Sequence, residues 1–325
     1  MSKHGKKYNY YFGIPHAHTC YSTGHGTPTD AYEYARGKKL DFLIVTDHCS
    51  RLNKSSSKDH IIRWNKTIKE VEEINKRHKS FLALAGFEIS IKKCGDFNVI
   101  NTQQMINRKV NNINEFYSWL RNQKAAIASI NHPDDSIKNF EDNDSLKSVV
   151  NLIEVGNGCA PYKYNRKDKY YFNLLDKGWK IGAINGQDNH IRNWGDSDNL
   201  TVIVSYSLKK KDIIEALKSM RTYSTESRTL KLSFKCNNNW MGSTLDLHND
   251  KSLNFEIRAS DRVNKISEIQ IISCNSQIVK SLKCSEEHKV KWNIDLKNDM
   301  SKKWYVVKVI ESNSNQAISS PIFIK

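Results

Sequence analysis

The chain has 325 residues and a formal net charge of +16, from 51 basic and 35 acidic side chains. Apolar residues make up 38%, enough for a buried core, so global disorder is excluded, and the absence of any run of 18 apolar residues excludes a membrane-crossing helix. The seven cysteines are scattered without a Cys-x-x-Cys pair, which excludes a disulfide framework and a thiolate zinc site; the basic start lacks an apolar signal core, so the expected location is cytoplasmic.

Along the first two-thirds, short apolar runs alternate with amphipathic stretches. Tyr10–Ile14 reads as a strand running into His16-Ala17-His18, and Thr29 is placed to cap a helix over 31–38. Phe42–Val45 follows and ends at Asp47-His48. Asp59 is placed to cap a long helix to about Lys79, with Ile61, Ile68, Val71 and Ile74 near one stripe. Phe81–Phe87 leads to Glu88. Asn114 is placed to cap Glu115–Gln123, where Phe116, Trp119 and Leu120 share a face. Ala125–Ile130 leads to His132, Leu152–Val155 to a turn at Gly156-Asn157-Gly158, and Ile181–Ile184 to Asp188 and His190. Thr201–Val204 and a helix at Lys211–Met220 complete the series. Buried, uniformly apolar strands alternating with helices about seven times predict an α/β fold, a distorted (β/α)7 TIM-like barrel over residues 1–226.

After Ser227 the texture changes. Leu230–Phe234, Ser252–Arg258, Ile266–Ile272, Lys289–Ile294, Tyr305–Ile310 and Pro321–Ile324 are short strand-like stretches between Asn, Asp, Ser and Lys. They predict a second domain, a small all-β sandwich over 227–325 that caps the barrel, with Trp240, Trp292 and Trp304 as its anchors.

The chemistry is concentrated where strands end. His16, His18, His48, His132 and His190, with Glu88 and Asp188, follow directly on expected strands, and in a parallel barrel all such ends open on one face. His-x-His on extended backbone points both imidazoles to one side. Imidazole and carboxylate together suit Zn²⁺, Mn²⁺ or Fe²⁺. His4, His60, His78, His248 and His288 fall in the tail, on helices or in the β-rich region, and read as structural or exposed.

Residues 14–50, IPHAHTCYSTGHGTPTDAYEYARGKKLDFLIVTDHCS, resemble the opening of the polymerase and histidinol phosphatase (PHP) family of metal-dependent phosphoesterases. The resemblance continues in family order through LAGFEIS, GDFNVIN, SINHP, LIEVGNG and INGQDNH, over roughly residues 10–225. TYSTESRTLKLSF and AISSPIFIK resemble the relatives that carry an appended β-sandwich, among them the carbamate- and amide-hydrolysing CehA/McbA-like branch. The resemblance implies two or three divalent metal ions at the strand ends. One would be held by His16, His18, Glu88 and Asp188, with Glu88 bridging to a second ion also bound by His132, and a third would be held by His48 and His190. Asp47 would orient a neighbouring ligand. Two positions depart from the family pattern: Thr23 stands in place of an acid, with His25 nearby as a substitute ligand, and Asp96 stands in place of a histidine, which shifts preference toward harder metals such as Mn²⁺.

The implied function is hydrolysis of a small phosphoester or other anionic substrate by hydroxide from a metal-bound water, with Glu88 and Asp188 as the catalytic carboxylates. Arg51, Lys163, Arg166 and Arg192, near the strand-end loops, are the candidate contacts to substrate phosphate. The competing functions are metal-dependent ester, amide or carbamate hydrolysis, and a binding module of weakened catalytic power. Nucleic acid is a partner that the charge permits and no motif supports.

Overall fold

The apolar runs become strands because both of their faces find cover. In the computed structural model, which describes residues 7–52, 57–106, 109–246 and 252–325, ten strands lie in the first part of the chain. They are β1 (Asn9–Ile14), β2 (Phe42–Val45), β3 (Leu82–Ile91), β4 (Gly95–Ile100), β5 (Ile127–Ile130), β6 (Leu152–Asn157), β7 (Asn165–Arg166), β8 (Gly182–Gly186), β9 (Leu200–Ser205) and β10 (Thr222–Thr225). Between them run α1 (Pro28–Gly37), α2 (Cys49–Leu52), α3 (Ser57–Arg77), α4 (Ile113–Leu120), α5 (Asp144–Lys147), α6 (Asp168–Asp176) and α7 (Lys210–Lys218).

The fold is mixed α/β, and two features separate it from the expected all-parallel closed barrel. First, β4 turns back on β3 through a hairpin in which Lys93 and Gly95 have φ of 65° and 78°, so β3–β4–β5 is antiparallel. The parallel pairs are β1–β2–β3, β5–β6 and β6–β8, while β9 lies antiparallel on β1. Secondly, among the described residues no backbone ladder joins β8 to β9. Side chains span that seam instead: Asn185 N–H donates to Thr201 Oγ1 (2.8 Å), whose hydroxyl donates to the Asn185 carbonyl (2.9 Å).

The helix caps sit two residues earlier than the sequence pattern places them. Thr27, not Thr29, caps α1 in a reciprocal box with Asp30, while the Thr29 hydroxyl donates to Glu70 (2.6 Å). Asn112, not Asn114, caps α4, and α3 begins at Ser57, which puts Asp59 inside its first turn. His78 pairs with Glu33 at 2.8 Å and His288 meets the carbonyls of Asp261 and Asn264. His4, His248 and the His60 side chain lie outside the described residues.

Ten more strands follow: β11 (Lys231–Cys236), β12 (Asn239–Trp240), β13 (Thr244–Leu245), β14 (Ser252–Ser260), β15 (Ile266–Ser273), β16 (Gln277–Glu287), β17 (Lys289–Lys297), β18 (Trp304–Glu311), β19 (Gln316–Ser319) and β20 (Ile322–Ile324). The hydrogen-bonded sheet does not stop at residue 226. β10 pairs with β19 and β19 with β18, so one 16-stranded sheet runs from the first part of the chain into the last. A second sheet, ordered β12-β11-β14-β17, faces it. Leu232, Phe234 and Ile257 of that sheet pack with Ile271 and Val307 of the large one, and Val202, Val204 and Tyr223 from β9 and β10 belong to the same apolar cluster. Trp304 is buried in the larger core, as expected of an anchor, whereas Trp240 and Trp292 are only half-buried at the edge of this cluster.

Candidate metal centre

The C-terminal ends of β1, β2, β5 and β8, with Glu88 inside β3 rather than after it and Asp96 at the start of β4, bring the polar residues of the sequence motifs together. Two short stitches fix the geometry: Asp188 N–H donates to the His16 carbonyl (3.0 Å) and His18 N–H to the Asn189 carbonyl (2.9 Å), while His48 bridges to Glu88. His132 and Asp188 have φ of 26° and 53°, in the left-handed region. Such backbone costs roughly 1–3 kcal/mol per residue and persists where surrounding contacts over-determine it, a frequent property of functional sites.

Three overlapping ligand groups result: His16, His18 and Glu88; Glu88, Asp96 and His132; and His18, His48 and His190. Asp188 joins the first, its Oδ1 lying 3.0 Å from His18 Nε2 and 3.3 Å from His16 Nε2. Glu88 Oε1 is 3.4 Å from His16 Nε2 and Oε2 is 3.4 Å from His18 Nε2. Four donors around one ion with bonds of 2.0–2.1 Å stand about 3.3 Å apart if tetrahedral, so the spacing fits a divalent metal. Glu88 Oε1 also lies 3.4 Å from His132 Nε2, which is itself 3.6 Å from Asp96, and His48 Nδ1 approaches Glu88 Oε2 at 2.7 Å. His16, His18 and Glu88 are buried, whereas Asp188, Asp96, His48, His132 and His190 are each a quarter to a third exposed. The centre therefore has a closed floor and an open rim.

Electrostatics match that donor set. Burial disfavours the His16 proton, but Asp188, Glu154 and Glu88 outweigh it and hold its pKa well above the usual imidazole value. Burial wins at His18, whose pKa falls to about 4. Glu88 stays ionised against its own burial because His16, His132 and His48 surround it, and Asp188 is likewise held below the usual carboxylate range by His16 and His18. His132 is raised to about 9 despite burial, mainly through its hydrogen bond with Glu88.

Two buried residues complete the site that the sequence reading did not single out. Glu154, in the middle of β6, takes His16 Nδ1 on Oε1 (2.8 Å) and His132 N–H on Oε2 (2.6 Å). With Nδ1 held by Glu154, His16 directs Nε2 at the centre, where a bound ion would displace the proton that the raised pKa keeps there. Asn131 Nδ2 donates to Glu88 Oε1 (2.8 Å). The available signal was a lone carboxylate inside the apolar run Leu152–Val155.

The remaining candidates divide. Asp47 is buried and its carboxylate accepts from Thr19 N–H, Thr19 Oγ1 and Ser22 Oγ, so it organises the loop after His18. His25 and Thr23 are exposed, and His25 belongs to none of the three ligand groups. Arg51 and Lys163 are exposed, on α2 and on the loop after β6. Arg192 meets Asp30 at 3.4 Å. Arg166 is taken by a two-point pair with Glu226 (2.7 and 2.6 Å) and by the Ser314 carbonyl, which commits its guanidinium to the junction with the C-terminal strands.

No family model and no curated protein matches the sequence. Among solved structures, a two-domain protein from Bacteroides vulgatus containing a predicted PHP-like metal-dependent phosphoesterase superposes with a TM-score of 0.56 at 16% identity, over 96% of this chain and 95% of its own. The two share a fold from end to end. An amidohydrolase from Chromobacterium violaceum with bound sulfate and no metal overlaps at a TM-score of 0.37 and 12% identity, over 54% of this chain and 86% of its own.

Proposed function

We propose that this chain is a metal-dependent hydrolase acting on phosphate esters, with residues 1–226 as the catalytic unit. The observation that carries the reading is the set of three ligand groups joined through Glu88 and His18, with spacings that suit divalent ions. His16, His18, Glu88 and Asp188 would hold one ion, Glu88, Asp96 and His132 a second, and His48 and His190 a third. Ions held there supply Lewis acidity toward a phosphoryl oxygen and a water of lowered pKa.

The chain's own groups do the rest. Glu154 fixes the His16 tautomer and the His132 backbone, and Asn131 holds the Glu88 carboxylate, so the donors are oriented before any substrate arrives. The half-open rim of Asp188, Asp96, His48, His132 and His190 gives substrate access while the buried floor excludes bulk water. Oxygen-rich donors on the Asp96 side favour a harder ion such as Mn²⁺. Arg51 and Lys163, both exposed, would be the candidates to meet a substrate phosphate.

The reading is tested by elemental mass spectrometry on tag-free protein purified without oxygen, followed by turnover of a nitrophenyl phosphodiester and a nitrophenyl ester. Two or three equivalents of Mn, Zn or Fe per chain and phosphodiester turnover that drops by at least about 100-fold in Asp188→Ala are expected. Ester turnover alone would move the chemistry to carbon centres. Failure to take up any of these ions would overturn the hydrolase reading.

A further inference from the structure

The face of the second sheet that points away from the apolar cluster is strongly basic. On β11, Leu232, Phe234 and Cys236 turn inward, which leaves Lys231, Ser233 and Lys235 outward. On β14 the outward residues are Glu256, Arg258 and Ser260, and on β17 Lys289 and Lys291. Register sets Ser233, Arg258 and Lys291 in one cross-strand row and Lys231, Ser260 and Lys289 in the next. Arg258 and Lys291 are thus direct cross-strand neighbours, a like-charge arrangement that costs stability. Among the described residues, Lys231, Lys235, Lys289 and Lys291 have no carboxylate within 4 Å, and Arg258 meets Glu256 at 3.7 Å. The fold neutralises this repulsion only in part, through Glu256 beside Arg258.

These cations line a groove of about 450 Å³ whose other wall is Tyr8, Tyr10 and Trp240. The aromatic rings form a platform: Tyr8 stacks on Tyr206 at 4.2 Å and 13°, and Trp240 meets the Tyr8 ring edge-on at 5.0 Å. Lys235 Nζ lies 5.3 Å from the Trp240 ring and Lys231 Nζ 5.9 Å from Tyr10, so cations and π faces interleave. Past Tyr10 and Lys231, which line both, the groove continues into a second hollow of about 330 Å³. There Lys38 and Arg228 are paired with Asp196 and Asp198, while Lys39 and Arg262 add further positive charge.

We propose that this trough binds single-stranded nucleic acid, with phosphates along the lysine rows and unpaired bases against the aromatic platform. A lone phosphate would need a convergent pocket, whereas two hollows sharing residues form an elongated track. An acidic peptide would satisfy the charges but not the ring faces. Electropositive grooves floored by aromatic side chains are the general solution for single strands. The trough and the metal centre are separate sites: Tyr10, which lines both hollows, lies within β1, His16 follows the C-terminal end of that strand, and the residues lining the hollows include none of the ligand groups. The proposal therefore stands whether or not the centre acts on the bound strand.

The test is fluorescence anisotropy of full-length protein with an end-labelled oligothymidylate of about 20 nucleotides, across a salt series. Affinity that falls steeply with salt is expected, with a loss of at least about tenfold in Lys289→Glu/Lys291→Glu, two exposed positions on β17. The matched control Lys69→Glu/Lys76→Glu, on exposed positions of α3, makes the same net-charge change and should cost less than about twofold. Trp240→Ala should weaken binding about fivefold or more, through lost stacking. Circular dichroism checks the fold of every variant, and the lysine pair keeps the test intact should Trp240→Ala unfold. Equal losses in both lysine pairs would reduce the binding to bulk charge and overturn the proposal. Competition by inorganic polyphosphate as effective as by the oligonucleotide, or preferential binding of polyglutamate, would overturn it too.

Discussion

Glu154 shows how much of the centre depends on a group that would not touch the metals. Its two oxygens hold His16 through Nδ1 and His132 through the backbone N–H, and Oε2 also takes the Asn157 amide (2.8 Å). Gly186 lies against it, since a Cβ there would sit inside the van der Waals shell of Oε1. Glu154→Gln keeps the shape but turns one acceptor oxygen into a donor, so either His16 or His132 loses its anchor. The expected result is a roughly 10–100-fold weaker metal affinity with an unchanged circular dichroism spectrum. Titration of Mn²⁺ or Zn²⁺ by calorimetry measures it, and unchanged affinity would show that the tautomer of His16 is fixed by something else. Most of the candidate ligands stand out in the sequence because they follow an apolar run, a placement that has few structural explanations, whereas Asp96 follows a polar turn and stands out only through the motif it belongs to. Glu154 was not legible, because a polar residue inside a strand looks the same whether it orients a ligand or pairs with a neighbour, and Asn131 was not, because a single amide just past a strand end is ordinary loop chemistry. Arg166 misled for a related reason: a guanidinium near a strand end reads as a phosphate contact until its partner, Glu226, sixty residues on, is placed beside it.

At the level of elements, the joint between β10 and the C-terminal strands is held by a buried carboxylate pair. Asp261 accepts from Ser227 Oγ (2.5 Å), Thr229 Oγ1 (2.6 Å) and the N–H groups of Val263 and Asn264, and is held below its usual pKa. Glu311, at the end of β18, is pushed up to about 8 by burial and by the Asp261 charge. An unfolded glutamate ionises near pH 4.3, so between there and about pH 8 the folded state binds the extra proton. Stability contributed by this group is therefore lost as pH rises through that window. Glu311→Gln removes the titration, and the difference between wild-type and variant stability, from urea melts at pH 5 and pH 8.5, should move in the variant's favour at the higher pH. At about 1.4 kcal/mol per pK unit the change is on the order of a few kcal/mol; a pH-independent difference would mean that Glu311 is ionised in the fold. Elements with a buried face on every side, such as β2, were legible to the residue. β16 was missed because its four apolar residues, Ile278, Val279, Leu282 and Cys284, keep no strict alternation, and β4 because it follows β3 after only a short polar turn. The caps of α1 and α4 slipped because each is preceded by two residues able to cap, and only the reach of the side chain chooses between them.

At the scale of the whole molecule, the change of sequence texture near residue 227 marks a change of layer, not a place where the chain comes apart. β10 lends one edge to β9 and the other to β19, and β9 and β10 place Val202, Val204 and Tyr223 in the apolar cluster of the C-terminal strands. Tyr223 also donates its hydroxyl to the Leu230 carbonyl (2.7 Å), and Tyr171 on α6 donates to the Ser319 carbonyl (3.2 Å). Cutting the chain after residue 226 would strip the pairing from one edge of β10 and bare a row of β-branched and aromatic side chains, an aggregation-prone edge. Fully burying one such side chain is worth about 1.5–3 kcal/mol, so losing cover on three of them removes a large part of the 5–15 kcal/mol that holds a typical domain together. The full chain is therefore expected to melt in a single calorimetric transition, with the van't Hoff enthalpy equal to the calorimetric one. The fragment 1–226 is expected to be insoluble or molten, even though every candidate ligand lies within it. Two resolved transitions, together with a fragment that takes up metal and melts cooperatively, would show instead that the C-terminal strands are an independent appendage.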